Sequence, residues 1–204
     1  MSACRTCQHE GVLALTLDTN CIVSLDEGRE PDATCIRRLI ALNDQGKTKL
    51  MLPSSSASER QRDLTYLTNF DQFAARIEAL GLGHLQRLLP PLTLHVSYLD
   101  NAVLADDDDV GLLDRINQAL FPGQPLELSQ ILDGLTDEAD RRKAEGRWRN
   151  RLMDVHALWC HISCGGDIFV TTDRNFFKRL NALTAIHPSL SIKEPCDAVG
   201  HVGG

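Results

Sequence analysis

Val12-Leu13-Ala14-Leu15-Thr16-Leu17-Asp18, near one end of the chain, and Ile168-Phe169-Val170-Thr171-Thr172-Asp173, near the other, decide the fold. Each is a short apolar run that stops at a carboxylate, and each carboxylate is followed by a stretch patterned as helix. Apolar runs of this length read as buried strands, as in a parallel sheet. In such a sheet the carboxyl ends of the strands border the ligand crevice. Asp18 and Asp173 are therefore expected at one edge. Two converging anions repel each other, and a bound cation resolves the repulsion most simply, so the pair defines a candidate metal site.

Working outward, helix is expected from about Pro31 to Leu42, with Ile36, Leu39 and Ile40 on one face. Lys47 to Leu52 reads as a second strand, closed by Pro53. Ser54-Ser55-Ser56-Ala57-Ser58-Glu59 is a helix-start signature, and a helical pattern runs on to Leu80. Gly81, Gly83 and Pro90-Pro91 break it, and Leu92 to Val96 has strand character. From Ser97 to about Gly134 small helices and loops are expected, with Asp106-Asp107-Asp108-Asp109 as a solvated turn. A long helix from about Thr136 to Cys164 ends at Gly165-Gly166. The strand to Thr172, a helix through Leu183 and a last strand from Leu190 to Lys193 complete the pattern. Strands alternating with helices imply an α/β fold with a parallel sheet and right-handed crossovers. No internal repeat or long linker interrupts it.

A chain of 204 residues suits one domain with a sizeable core. Its 43% hydrophobic and 24% charged residues, with a mean hydropathy of −0.18, are those of a soluble globular protein. No apolar run approaches the roughly 18 residues of a membrane span. Met1 to Glu10 lacks the apolar core of a signal peptide, so a cytoplasmic location is expected. The net charge of −7 excludes a general affinity for polyanions. A nucleic-acid partner would have to meet a local basic patch or bound cations. Seven cysteines without disulfide-scaffold spacing are expected to be reduced thiols.

Four carboxylates stand out, each with a plainer role to weigh. Asp18 and Asp173 suit the caps of the helices that follow them. Glu59 fits a capping box with Ser56, and Asp63, one turn later, is its substitute as a site residue. Asp154 lies in a helix that is apolar nearly all round, among Leu152, Met153, Val155, Leu158 and Trp159. A carboxylate buried there is costly unless it is paired or bound to metal, and Arg151 is the ordinary partner. Asp167 opens the strand that Asp173 closes and reads as structural.

Asp18-Thr19-Asn20, Glu59, Asp154 and Thr171-Thr172-Asp173-Arg174-Asn175-Phe176, in that order, resemble the PIN-domain ribonucleases. The likeness covers about 11–60, 150–180 and Ile192-Lys193-Glu194-Pro195, and leaves an insertion at about 91–140. The resemblance implies a single domain over 1–204, a three-layer α/β/α sandwich around a parallel sheet. It implies an acidic quartet of Asp18, Glu59, Asp154 and Asp173 holding Mg²⁺ or Mn²⁺, supported by Asn20 and Thr171. The activity implied is cleavage of RNA, single-stranded above all, leaving 5′-phosphate and 3′-hydroxyl ends. A homodimer and an antitoxin-like inhibitor are the partners it suggests, although the insertion sets this chain apart from the shorter toxin-type members.

Arg141, Arg142, Lys143, Arg147, Arg149 and Arg151 gather six of the 21 basic residues just before Asp154. Arg149 and Arg151, with Arg174 beyond Asp173, are candidates to seat an RNA backbone, against the plainer reading of a solvated helix face. Cys4, Cys7 and His9 offer three zinc ligands that need a fourth, Cys196 or His201. His156, Cys160 and Cys164 share a helix face and read as core. Strand-Asp also opens the haloacid-dehalogenase-like phosphatases, but those need a second Asp where Asn20 stands. A non-catalytic PIN-like module that binds RNA or protein is the non-enzymatic alternative.

Overall fold

The computed structural model describes residues 11–55, 70–93, 96–97 and 101–203. Five strands, β1 (Leu13–Leu17), β2 (Thr48–Pro53), β3 (Gln86–Leu88), β4 (Ile168–Val170) and β5 (Ser191–Lys193), form one sheet. Their order is β3-β2-β1-β4-β5, and every neighbouring pair is parallel. The chain leaves β1 toward one side of the sheet and returns to the other side with β4. The sheet therefore reverses its winding between β1 and β4, where parallel sheets open a crevice at the carboxyl ends of their strands.

Side chains of a strand alternate between faces, and here each face is buried under helices. Leu15, Leu17, Leu50, Leu52, Ile168 and Val170 share a core with α1 (Thr19–Glu27), α2 (Asp32–Asp44), α3 (Phe70–Ala79) and α9 (Pro195–Gly203). Ala14, Met51 and Phe169 face the other way, onto α4 (Asp107–Leu120), α6 (Glu138–Ser163), α7 (Arg174–Lys178) and α8 (Leu180–Ile186). The short α5 (Leu128–Leu132) packs on α6. The result is the expected α/β architecture, a parallel sheet between two helical layers. No helix among the described residues is long and apolar enough to cross a membrane.

One contact sets the height of α6 against the sheet. The buried His161 ring meets Thr16 Oγ1 through Nδ1 at 3.0 Å and stacks edge-on to Phe169, with centroids 5.5 Å apart. Gly166 makes room for it, because a Cβ there would collide with the His161 ring. Burial pushes the imidazole pKa down to about 3, so the ring is neutral.

Three sequence expectations are corrected. Leu92, Thr93 and Val96 are not in a strand: the third strand is β3, and Pro91 forms only an isolated bridge with Val103. Two consecutive prolines lack the N–H donors that a ladder requires. Asp106 to Asp109 is not a solvated turn but the start of α4. Asp106 accepts from Asp109 N (3.0 Å) and Asp109 accepts from Asp106 N (3.2 Å), a capping box in which the carboxylates complement the helix dipole. α4 then buries Leu113, Ile116 and Leu120 in the core.

Reduced thiols are the third correction. Cys35 on α2 and Cys196 on α9 form a disulfide across a sequence separation of 161, and Cys164 is also disulfide-bonded. α2 and α9 pack side by side, a proximity that sequence spacing cannot reveal. Bound in this way, Cys196 is not a fourth zinc ligand, and Cys4, Cys7 and His9 lie outside the described residues. Cys21 and Cys160 are free and buried.

Loss of the Cys35–Cys196 link should destabilise the protein by about 2–4 kcal/mol. Urea unfolding of Cys196→Ser against wild type, both under non-reducing conditions, measures it. An unchanged midpoint would show that the link adds nothing to stability.

Candidate metal centre

Asp18 is the first residue past β1, and Thr171 the first past β4. The parallel register, Leu15 beside Ile168, carried three residues on sets them side by side. Alternation points both toward the layer that holds α6, as it does Thr16 and Phe169. Asp18 is 1% exposed and Thr171 is fully buried.

The carboxylate is tightly held. Oδ1 of Asp18 accepts from Thr19 N at 2.8 Å, and Oδ2 accepts from Thr171 Oγ1 at 2.6 Å and Asn20 Nδ2 at 3.2 Å. Thr171 Oγ1 in turn accepts from Asp173 N at 3.0 Å, and Asp173 Oδ1 accepts from Asn175 N at 2.8 Å. A continuous chain of hydrogen bonds thus joins Asn20, Asp18, Thr171, Asp173 and Asn175 across the switch point. Both acids do cap the helices they precede, so capping and site roles coexist.

Burial raises the Asp18 pKa from 3.8 to about 6. The hydrogen bonds from Thr171, Thr19 and Asn20 oppose that rise only in part, and the negative charge of Asp173 adds to it. Among the described residues neither acid has an ion-pair partner. A carboxylate offers about four lone-pair sites. Asp18 spends three on donors, which leaves one on Oδ1, while Asp173 Oδ2 has no donor among the described residues. Two hard oxygen donors whose negative charge no described basic residue compensates fit a hard divalent cation such as Mg²⁺ or Mn²⁺.

Asp154 is placed by helix geometry. Seven residues separate it from His161, two turns, so both lie on one stripe of α6. His161 sits level with Thr16. α6 runs antiparallel to the strands it connects, which carries Asp154 ~10 Å from that level toward the carboxyl edge. Asp18 lies ~7 Å from Thr16 in the same direction. Asp154 therefore stands near the height of Asp18, on the stripe that faces the sheet. It is half-buried rather than buried, a correction to the sequence expectation. Its ordinary partner is elsewhere: Arg151 donates to Gln124 Oε1 and lies over the Phe121 ring, 6.0 Å from its centroid.

Glu59 and Asp63 lie outside the described residues. Among those residues no group of three or more His, Cys, Asp or Glu closes on a common point. Arg151 is partly desolvated, which lowers its pKa, and its neighbour Phe121 follows Leu120, whose carbonyl accepts from Asn175 Nδ2 at 3.4 Å. That places Arg151 beside the Asp173 end of the site. Arg174 is exposed and directly follows Asp173, and Arg149 is half-buried. Arg141 and Arg142 are drawn off, the first to the Leu135 carbonyl and the second to Glu138. Asp167 is structural as read: its Oδ2 accepts from Ala14 N at 2.8 Å and anchors the start of β1.

Two residues at this edge went unread. Ser54 and Ser55 follow β2 and are 3% and 2% exposed, with hydroxyls that have no hydrogen-bond partner among the described residues. The register that sets Thr16 beside Met51 brings Pro53 level with Asp18, so both serines stand at the carboxyl edge. The signal was the length of the second strand, which fixes where the serine run falls. No protein-family model matches this chain, and no curated protein matches it significantly.

The raised Asp18 pKa carries a sign. A folded value near 6 above an ordinary 3.8 means that the folded state holds the proton more tightly, so the carboxylate costs stability above pH 6 and the cost disappears as pH falls toward 3.8. Asp18→Asn removes the charge and keeps one of the two acceptor oxygens. Without divalent cations it should exceed wild type by about 1–3 kcal/mol at pH 7.5, with the difference shrinking toward pH 4. Urea unfolding at both pH values in EDTA checks this; a variant less stable than wild type at pH 7.5 would contradict it.

Proposed function

We propose that the protein is a metal-dependent endoribonuclease with a PIN-like site, and that Asp18 is its centre. The observation that supports this reading best is a desolvated carboxylate at the sheet's switch point, joined through Thr171 to a second carboxylate and, among the described residues, offset by no basic side chain. Such an arrangement costs stability in the free protein and is relieved by a cation.

Asp18 and Asp173 would hold Mg²⁺ or Mn²⁺, with Asp154 from α6 and Glu59 from beyond β2 completing the set that the resemblance implies. When bound, the cation supplies Lewis acidity toward the scissile phosphate and its attacking water, and neutralises charge on the leaving oxygen. Thr171 and Asn20 act on Asp18: they occupy Oδ2 and leave Oδ1 with the Thr19 amide as its one donor among the described residues. Arg174, exposed beside Asp173, is suited to a neighbouring backbone phosphate, and Arg151 on α6 extends the same positive edge, whereas Arg149 lies on the opposite side of that helix. Water is the nucleophile in this reading, so no side chain need form a covalent intermediate.

One observation favours a second reading, a non-catalytic RNA- or protein-binding module of the same fold. Among the described residues no three carboxylates, histidines or cysteines gather into a group that could hold a metal ion.

Labelled single-stranded RNA with Mn²⁺ separates the two. Wild type should cut it to 5′-phosphate ends, and Asp18→Asn and Asp173→Asn should both abolish cutting. Thr171→Val should reduce the rate roughly 10–100-fold while Thr171→Ser retains it. Cutting that survives Asp18→Asn unchanged would exclude this site, and no cutting by wild type would favour the binding module.

A further inference from the structure

The stripe of α6 opposite Asp154 borders a second space. Trp148, Leu152 and His156 recur on that stripe at helical spacing, and with Leu113, Val96 and Pro91 they wall a cavity of about 420 Å³. It lies between α6, α4 and the segments on either side of α4. Pockets for small organic molecules have this size and this mainly apolar lining, with a few polar groups to fix orientation.

Three features indicate what would fill it. At the floor, His156 is 1% exposed, its Nε2 lies 3.4 Å from Thr93 Oγ1, and its Nδ1 has no hydrogen-bond partner among the described residues. A buried ring nitrogen without a partner is costly, and a ligand N–H or O–H, or an acceptor for the other tautomer, would relieve it. At the outer surface, Val110 of the wall is 52% exposed, and Leu104, next to the lining residue Ala105, is 83% exposed. These are the exposed large apolar side chains of the described residues, and Val110 lines the cavity itself. The third feature is charge. Glu127 and Glu145 line the cavity and are exposed, no Lys or Arg lines it, and neither acid has an ion-pair partner among the described residues.

We propose that this cavity binds a small amphipathic cation, a planar apolar body carrying one hydrogen-bonding group and an amine. The body would lie against Trp148 and Leu152 with its polar group toward His156, and the amine would face Glu127 and Glu145. Water is a poorer occupant, because each molecule needs two to four polar partners and the wall is mostly apolar. A flat protein surface is poorer too, because it cannot reach the buried floor. The inference does not depend on nuclease activity, since it uses the other stripe of the helix.

Tryptamine is a direct probe, with indole-3-propionate as its anionic counterpart. Binding is followed by NMR through the indole N–H of Trp148, which donates to the Leu126 carbonyl at 2.7 Å in the cavity wall. Tryptamine should shift that resonance saturably at one per chain, and indole-3-propionate should bind at least about tenfold more weakly. Glu127→Gln with Glu145→Gln should remove most of that preference. Ala105→Trp, at a partly exposed lining position, should block binding, and an otherwise unchanged spectrum verifies its fold. No saturable shift with wild type, or equal binding by the Ala105→Trp protein, would overturn the proposal.

Discussion

The 2.6 Å hydrogen bond from Thr171 to Asp18 spans the two strands between which the sheet reverses, and the constraint behind it is the cost of desolvating a carboxylate. Asp18 is buried because β1 is buried on both faces, and β1 is buried because it is the central strand of a parallel sheet. The position that the fold gives this acid is therefore one that water cannot solvate. Thr171, Asn20 and the Thr19 amide recover part of the loss, and the charge on Asp173 adds to it. Among the described residues a demand for positive charge remains unmet at one point, in the place where parallel sheets bind their ligands. The metal reading is an answer to that demand.

How much of this was legible depended on whether the signal was local. β1 and β4 were legible because a buried parallel strand is a short apolar run, and the acids that end them lie in the same few residues. Thr171 and Asn20 were legible beside them. β3 was not: three residues after a glycine-rich turn leave no periodicity to read. Asp106 to Asp109 misled because four carboxylates suit a solvated turn and a helix N-terminus alike, and the apolar stripe of α4 that decides between them comes later. The Cys35–Cys196 bond joins residues that only the tertiary fold brings together. The same holds for Ser54 and Ser55, whose importance lies in their level beside Asp18 rather than in their own neighbourhood.

α6 links the two ends of the account. One stripe carries His161 and Asp154 toward the sheet, with His161 fixing the helix height through Thr16. The opposite stripe carries Trp148, Leu152 and His156 toward the cavity. The second half of α6 is apolar on most of its circumference and needs cover on every side, which α4, Val96, Leu126, Leu128 and Ile131 help to supply. The reduced-thiol expectation had followed from the cytoplasmic one, and the disulfides overturn it, since such bonds persist in oxidising surroundings.

The most direct test of the central claim is paramagnetic broadening of backbone amide signals by substoichiometric Mn²⁺. If the desolvated pair at the switch point is a cation site, the amides of Asn20, Asp173 and Arg174 should broaden first, and Asp18→Asn should abolish the effect. Broadening that begins instead at Asp106 to Asp109, the exposed acidic start of α4, or that persists unchanged in the Asp18→Asn protein, would contradict it.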